Sequence, residues 1–539
     1  MLALADPRGA KTLAAPGIIT IDIGTTSMRA ILFDAEGRQL ALAREDNPPA
    51  YYADGRVEQA AATWEGILGR ILSACAGEAR ARGFAVEGIA LTSQRSSVIA
   101  VDRQGAPLRP AIMWQDQRTE AICRGLAPRN AEVYGVCGMR VTTVMSACKM
   151  KWLKENEPGI FGRAWKLVGI HDFVLRALTG AFLTDHSLAS RTNLLNLEKL
   201  DWDEGLMNLF GVPRSMLCDL VPPGSVAGGL EAGLAARVGI PAGTPVITAG
   251  GDQQCAALGL GLTGPDRVVA NTGTGSYILG YSARPAFDPE MRAFCNTAAI
   301  PGAYVVEAGM SASGAIYRWF SDNFYSEAKN SCDDGIAAIN EEAASSPPGA
   351  NGVAFLPRFR LTVADGSAAA GAAEAGQAAA DGQAAADGLA GASEKGLFYG
   401  LSLATSRGDM ARAVLEGIAA EMAENLRLVE ALAGKAGSVH ASGGLTRFEL
   451  FNRIQADLYG LPVRKAGHGE ATAVGAWISA AKTLGFYGSY GEAAAASERG
   501  SEIQECAPDP ANAAAYARLR ATRRALRGAS ALRGTSERK

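Results

Sequence analysis

Gly24-Thr25-Thr26-Ser27, with Asp22 just before it and Arg29 just after it, is a set of groups suited to hold a phosphate. Backbone N–H groups can cradle a phosphate only where side chains are small, and hydroxyls and a cation complete the shell. Asp22 ends the preceding apolar run, where a carboxylate can hold Mg²⁺ directly or through water, because that ion combines a few carboxylates with phosphate oxygens. A Thr/Ser-rich hairpin tip of no special function has the same composition, so the assignment depends on what accompanies it. Gly273-Thr274-Gly275 is a second small-residue cradle, and two facing cradles could clamp the phosphates of one nucleotide. Ser442-Gly443-Gly444-Leu445 follows the apolar run Val439 to Ala441 and leads into a helical run from Phe448 to Tyr459. A strand, a glycine pair and a helix start let a flat adenosine lie against backbone with no Cβ in the way.

These groups need elements to position them. Gly17 to Phe33 reads as a β-hairpin whose tip is the Gly-Thr-Thr-Ser turn, and Val268 to Ser282 has the same construction. Aligning Asp22 with Asn271 superposes the two turns, and internal duplication is the simplest account. Strand-like runs at Gly88 to Leu91, Val98 to Val101 and Pro245 to Thr248 alternate with helical patterns such as Thr63 to Arg82, which is α/β patterning. Met410, Val414, Ile418, Met422 and Leu426 share one face of a long helix, with Ser406 as its cap. The division expected is an extension over 1–16, a first domain over 17–262, a second over 263–488 and a helical tail over 489–539. Residues 364–393, nearly all Ala, Gly, Asp, Gln, Ser and Glu, cannot bury enough apolar surface to offset ordering entropy and read as a mobile insertion.

A chain of 539 residues with 48% apolar and 20% charged residues has material for at least two cores. A net charge of -3 offers no positive field for nucleic acid or an anionic membrane. Arg518, Arg520, Arg523, Arg524, Arg527 and Arg533 make the carboxyl end basic, which reads as a frayed, solvated helix. Nine cysteines without short paired spacings read as reduced thiols, and His171 and His186 as structural. No run reaches the ~20 apolar residues that span a bilayer, so a cytoplasmic protein is expected. Gly259-x-Gly261-x-x-Gly264 matches a dinucleotide pattern but ends a helical run, and the GxxxxGK[ST] of a P-loop is absent.

Five ordered segments resemble the FGGY carbohydrate kinases, the family of glycerol kinase and xylulokinase. They are Asp22 to Asp34, Thr184 to Leu206, Ala249 to Gly259, Ala441 to Val463 and Glu470 to Trp477. The resemblance implies two actin-like (ribonuclease H-like) α/β domains with a cleft between them, and transfer of the ATP γ-phosphoryl to a small sugar or polyol; the alternatives are a glycerol kinase or a non-catalytic, nucleotide-gated binding module of the same fold. It implies Asp252 as the base, with Gln253 beside the reacting hydroxyl, although an isolated Gly-Asp also suits the cap of a helix starting at Gln253. Asp22 is then assigned to Mg²⁺, Gly24, Thr25, Thr26, Ser27 and Arg29 to phosphates, and Gly273, Thr274, Gly275, Gly443, Gly444 and Phe448 to the nucleotide. Dimers and tetramers are common in that family, so a homodimer is compatible with the resemblance.

The acceptor side, Leu91 to Glu120, resembles glycerol kinases in Gln94-Arg95 and Trp114-Gln115-Asp116, and lacks the Gln-Met-His of xylulokinases. Arg95 can donate a forked pair of hydrogen bonds to hydroxyls, and Trp114 can press on a carbon face. Glycerol kinases carry Glu where this chain has Ser96, and Tyr where it has Val144. Both changes remove hydroxyl partners and leave room, which suggests a longer polyol or a ketose of about five carbons.

Overall fold

The computed structural model describes residues 14–325, 336–359, 396–465, 470–499 and 503–536. The segment 364–393 and residues 1–13 of the expected extension lie outside them. Two sheets organise the chain. The first contains β1 (Ala15–Ile23), β2 (Ser27–Asp34), β3 (Gln39–Asp46), β4 (Phe84–Ser93), β5 (Val226–Gly229) and β6 (Pro245–Gly251), in the order β5-β6-β4-β1-β2-β3. Its centre is parallel (β6, β4, β1) and its flanks antiparallel. The second contains β7 (Arg267–Thr272), β8 (Ser276–Ser282), β9 (Phe294–Thr297), β10 (Tyr304–Met310), β11 (Ser438–Ser442), β12 (Val463–Lys465) and β13 (Gln504–Cys506). Their order is β9-β10-β8-β7-β11-β12-β13, with β7, β11 and β12 parallel. Apart from β9, each strand of the second sheet has a counterpart of the same direction in the first, which is the duplication expected from the two hairpins. The hairpins differ at their tips: Asp22 pairs with Arg29, whereas Asn271 pairs with Tyr277, so the second turn is one residue shorter.

Ile18, Ile19, Ile21 and Ile23 are fully buried because β1 is covered on both faces, as a central parallel strand must be. One face meets α1 (Ala62–Ala81) through Trp64, Ile67, Leu68, Ile71 and Leu72. The other meets α3 (Asp252–Gly259), α7 (Ala471–Thr483) and α8 (Tyr490–Glu498), where Trp477 is fully buried and donates from its indole N–H to the Asp34 carbonyl (3.0 Å). The second sheet packs against α5 (Arg407–Ala433) through Met422, Leu426 and Val429. Ser406 and Asp409 cap α5 reciprocally, each side chain accepting the other's backbone N–H at 3.0 and 2.9 Å. Other helices are α2 (Ile170–Thr179), α4 (Gly314–Phe324), α6 (Glu449–Tyr459) and α9 (Ala513–Ser536).

α7, within the expected second domain, packs on the first sheet, where Gly259 and Gly475 let α3 and α7 touch backbone to backbone. The expectation of a frayed, solvated terminal helix changes over Tyr516 to Arg527, although Arg518 and Arg524 are exposed and the Arg533 side chain lies outside the described residues. Tyr516 and Leu519 enter the core of the second unit, and Arg523, 1% exposed, donates to the Phe355 carbonyl (2.7 Å) and to Glu421 (2.8 Å). Arg527 pairs with Glu421 and Glu424, so acidic residues on α5 draw Arg523 and Arg527 of α9 inward. Among the described residues no helix is long and apolar enough to cross a membrane.

Candidate active site

β1 delivers Asp22 to a position 4% exposed at the mouth of the first hairpin. The Gly24 N–H donates to the Ser27 carbonyl (2.9 Å) and closes the tip, which leaves Thr26 exposed, Gly24 and Thr25 half-buried and Ser27 buried. Arg29 stands opposite Asp22, its Nη2 3.9 Å from the carboxylate, and its Nη1 makes an ion pair at 2.5 Å with Glu470, which precedes α7. Burial pushes the Asp22 carboxyl up to about 7; Arg29 opposes the rise, and the Asp252 and Glu470 carboxylates add to it. These carboxylates act on one another through space without meeting at ligand distance, since among the described residues no trio of His, Cys, Asp or Glu is arranged to hold a metal. A buried carboxylate with acidic neighbours fits an ion such as Mg²⁺, which takes one or two carboxylates and completes its shell with phosphate oxygens and water.

The raised value sets a sign. In the metal-free protein the stability linked to protonated Asp22 is present in full below about 4 and is lost as pH rises toward about 7. Asp22→Asn removes that titration. The melting temperature of the variant, measured without Mg²⁺ and nucleotide, is expected to gain on the parent's between pH 5 and pH 8; parallel profiles would contradict the assignment.

β4 lies between β1 and β6, so its exit residues meet both the hairpin tip and the Gly250-Gly251-Asp252 turn. Gln94 Nε2 donates to the Gly24 carbonyl (3.1 Å), and the Trp114 indole N–H donates to Thr25 Oγ1 (3.0 Å). Arg95 Nε lies 2.9 Å from Asp252 Oδ1, and its Nη1 donates to Gln254 Oε1 (3.2 Å). Asp252 is the first residue of α3, not the cap of a helix starting at Gln253, because Gly251 (ψ 151°) already supplies the extended cap backbone. Its carboxylate accepts from Arg95 and from the Gln253 N–H (2.7 Å). The Gln253 side chain is half-buried beside it.

A polar chain behind this turn holds it in place. The Gly251 N–H donates to Ser187 Oγ (2.9 Å), which donates to Asp185 Oδ1 (2.5 Å); the Thr248 hydroxyl donates to Asp185 Oδ2 and lies 3.2 Å from His171 Nε2. A Cβ at Gly250 (φ +123°) would stand 2.8 Å from Ser187 Oγ, and one at Gly251 2.5 Å from Arg95 Cδ. Sequence reasoning assigns no role to Asp185, Ser187, Thr248 or Glu470; the available signal was that Thr184 to Leu206 and Glu470 to Trp477 resemble family segments.

The nucleotide candidates form a second cluster. Ser313 and Gly314, at the start of α4, donate their N–H groups to the Thr274 (2.8 Å) and Gly273 (3.2 Å) carbonyls and brace the second turn. A Cβ at Gly275 would stand 2.9 Å from the Met310 carbonyl oxygen. Gly443 (φ +97°) lies on β7, where a Cβ would come within 2.6 Å of the Thr272 carbonyl, and Thr272 Oγ1 donates to the Ser442 carbonyl (2.8 Å). Gly444 is exposed to open space, whereas Phe448 is half-buried against the second unit's apolar core. Gly443→Ala adds backbone strain and a contact with β7, together about 1–3 kcal/mol. The expected result is ATP binding weakened about tenfold or more by calorimetry, tenfold being 1.4 kcal/mol; unchanged affinity would remove Gly443 from the site.

Ser96 and Val144 are both buried. Ser96 adopts φ +70° and donates from Oγ to the Arg191 carbonyl (3.2 Å), and Val144 packs with Trp114 in one apolar cluster. Behind Ser96 lies a cavity of about 40 Å³ lined by Gln94, Arg95, Ser96, His171, Asp172 and Thr184 among others. Gln94 Oε1, His171 Nδ1 and Asp172 Oδ1 are buried without a hydrogen-bond partner among the described residues.

Duplicated sheets of this order, each ending a hairpin at a glycine turn, define a two-domain α/β protein of the actin-like (ribonuclease H-like) fold. The chain belongs to the FGGY family of carbohydrate kinases: the family's N-terminal domain matches residues 17–259 and its C-terminal domain residues 268–484. It is accordingly a phosphotransferase with an alcohol acceptor. It is 30% identical over 496 residues to a glycerol kinase of Alkalilimnicola ehrlichii, covering 89% of this chain and 92% of the relative. A crystal structure of xylulose kinase from Rhodospirillum rubrum superposes with a TM-score of 0.84 at 27% identity, covering 95% of this chain and 98% of the other. Plasmodium falciparum glycerol kinase with ADP gives a TM-score of 0.79 at 20% identity over 97% and 98% of the two chains, a likeness of fold.

Proposed function

We propose that this kinase phosphorylates a polyol or ketose longer than glycerol, of about five carbons, with Asp252 as the base and Mg²⁺-ATP as the donor. The observation that carries the reading is Asp252 at the start of α3, half-buried and salt-bridged to Arg95, the residue directly before Ser96. Asp252 takes the proton of the acceptor hydroxyl as its oxygen attacks the γ-phosphorus, and ADP leaves. Phosphoryl transfer otherwise rests on positioning and charge neutralisation. Arg95 and Gln253 orient the acceptor, Gly24 to Ser27 and Arg29 receive the phosphates, and Gly273 to Gly275 with Gly443 and Gly444 seat the nucleotide. Asp22 would hold Mg²⁺, which neutralises charge on the phosphate oxygens when bound.

Glycerol is the second reading, favoured by Gln94-Arg95 and Trp114-Gln115-Asp116 and by the glycerol kinase relatives. ATP consumption with glycerol, erythritol, xylulose, ribulose, xylitol, arabitol and no acceptor distinguishes them. The expected outcome is preferred turnover of one five-carbon compound; preference for glycerol would overturn the enlarged-site reading and leave the second.

A further inference from the structure

Two thiols that phosphoryl transfer does not use meet beneath the acceptor wall. Cys123, on the helix Glu120–Leu126, and Cys148, on the helix Ser146–Asn156, are free, with Sγ atoms 3.5 Å apart. Cys148 is fully buried and Cys123 is partly exposed, so a small solute can reach the second sulfur only through the first. Thr119 Oγ1 lies 3.9 Å from Cys123 Sγ. The next residue after Cys148, Lys149, is completely buried and donates from Nζ to the Thr143 (2.6 Å) and Val144 (2.5 Å) carbonyls. This arrangement separates the two sulfurs chemically. Contact with Cys148 is the largest influence on the Cys123 thiol and lowers it against the effect of burial, with Thr119 and Lys149 assisting. The same contact, with burial, drives Cys148 upward. A partly exposed sulfur with a second, buried thiol in contact is the pattern of an attacking cysteine and its resolving partner.

We propose that Cys123 and Cys148 are a peroxide modification site, closing to a disulfide that ties the segment carrying Trp114 to the segment carrying Val144. Hydrogen peroxide or an organic hydroperoxide is the oxidant. The Cys123 thiolate attacks one peroxide oxygen, an S–O bond forms, the O–O bond breaks, and the departing hydroxide (or alkoxide) takes up a proton. The Cys148 sulfur then attacks the sulfenic sulfur, the S–S bond forms and the S–O bond breaks. The released hydroxide leaves as water with the Cys148 proton. Two thiols lose two electrons, and the peroxide is reduced by two.

The consequence for the site follows from geometry. An S–S bond of about 2.05 Å requires the sulfurs to approach from 3.5 Å, by rotation of the side chains together with a shift of the segments that carry them. Cys123 lies a short way beyond Trp114, and Val144 leads into the helix of Cys148; Trp114, Val144 and Cys148 already share one apolar cluster. The Thr143 hydroxyl also donates to Gln117 Oε1 (3.1 Å), a second tie between the two segments. A misplacement near 1 Å can cost about 10²-fold in rate.

The full chain is treated with a small excess of hydrogen peroxide, alkylated, digested and read by mass spectrometry. The expected result is a linked Cys123–Cys148 peptide pair two hydrogens lighter than the free pair, formed before other cysteines react and absent from Cys123→Ser and Cys148→Ser. Sulfinic acid at Cys123 with Cys148 still alkylated, or both thiols intact after other cysteines oxidise, overturns the site. The kinetic arm rests on the acceptor assignment above and is scored separately. With the disulfide confirmed, kcat/KM for the acceptor found by the panel is expected to fall about ten- to a hundredfold, reversibly with dithiothreitol, at unchanged ATP affinity. A disulfide that forms without altering acceptor kinetics overturns the coupling, while the peptide result stands apart from the identity of the acceptor.

Discussion

Asp252→Asn retains ATP binding within about twofold and lowers acceptor phosphorylation by about 10²–10⁴-fold, the span general-base catalysis contributes. Asparagine keeps the shape of the side chain, and its amide oxygen can still accept from Arg95 and from the Gln253 N–H, so the turn after β6 stays in place. What it would lose in the proposed role is the capacity to take the proton of the acceptor hydroxyl. Calorimetric titration with ATP reports the first half of the result and product formation the second. Transfer within tenfold of the parent would mean that another group removes the proton; loss of ATP binding would mean that the substitution disturbs the nucleotide side, which the separate clusters argue against.

Gly475→Ala has the largest structural effect expected. A Cβ there falls on the Cys255 carbonyl oxygen, and one at Gly259 falls on the Ala471 carbonyl oxygen, far inside contact in both cases. Both partners are helix backbone, so neither can swing aside as a side chain would. Overpacking typically costs about 1–3 kcal/mol and more where nothing yields, so a loss near 3 kcal/mol is expected. That corresponds to a melting temperature lower by roughly 6–12 °C. Catalysis should fall too, because α3 begins with Asp252 and α7 follows Glu470, the partner of Arg29. Gly69→Ala is the control: it lies in α1 with nothing within 4 Å of a Cβ. Removing a helical glycine there should stabilise by about 0.5–1 kcal/mol. Equal melting temperatures for Gly475→Ala and the parent would contradict the backbone contact between α3 and α7.

Much of the fold was legible because its signals are local. The alternation of apolar residues around Gly24 to Ser27 and Gly273 to Gly275 specifies hairpins, and Ser406 with Asp409 specifies a helix start, since each depends on residues a few positions apart. The small-residue turns were readable for the same reason, as a cradle is made by the conformation of its own backbone. Gly443 was legible as a glycine that opens space, but its contact with Thr272 belongs to strand pairing across the sheet.

The sequence by itself thus determined the duplicated hairpins, the capped helix after Ser406 and the residue types that phosphoryl transfer requires. The tertiary structure alone decided which distant residues complete them. Arg29 meets Glu470 because α7 returns to the first sheet, and α7 returns because two glycines permit helix backbones to touch. Arg523 is buried because α5 carries Glu421 where α9 docks. Ser187 holds the turn before Asp252, and Cys123 finds Cys148, by the path of the chain. Periodicity and turn chemistry act over a few residues and leave a mark in local composition, whereas partners far apart in sequence are chosen by how covered sheets and close-packed helices fill space.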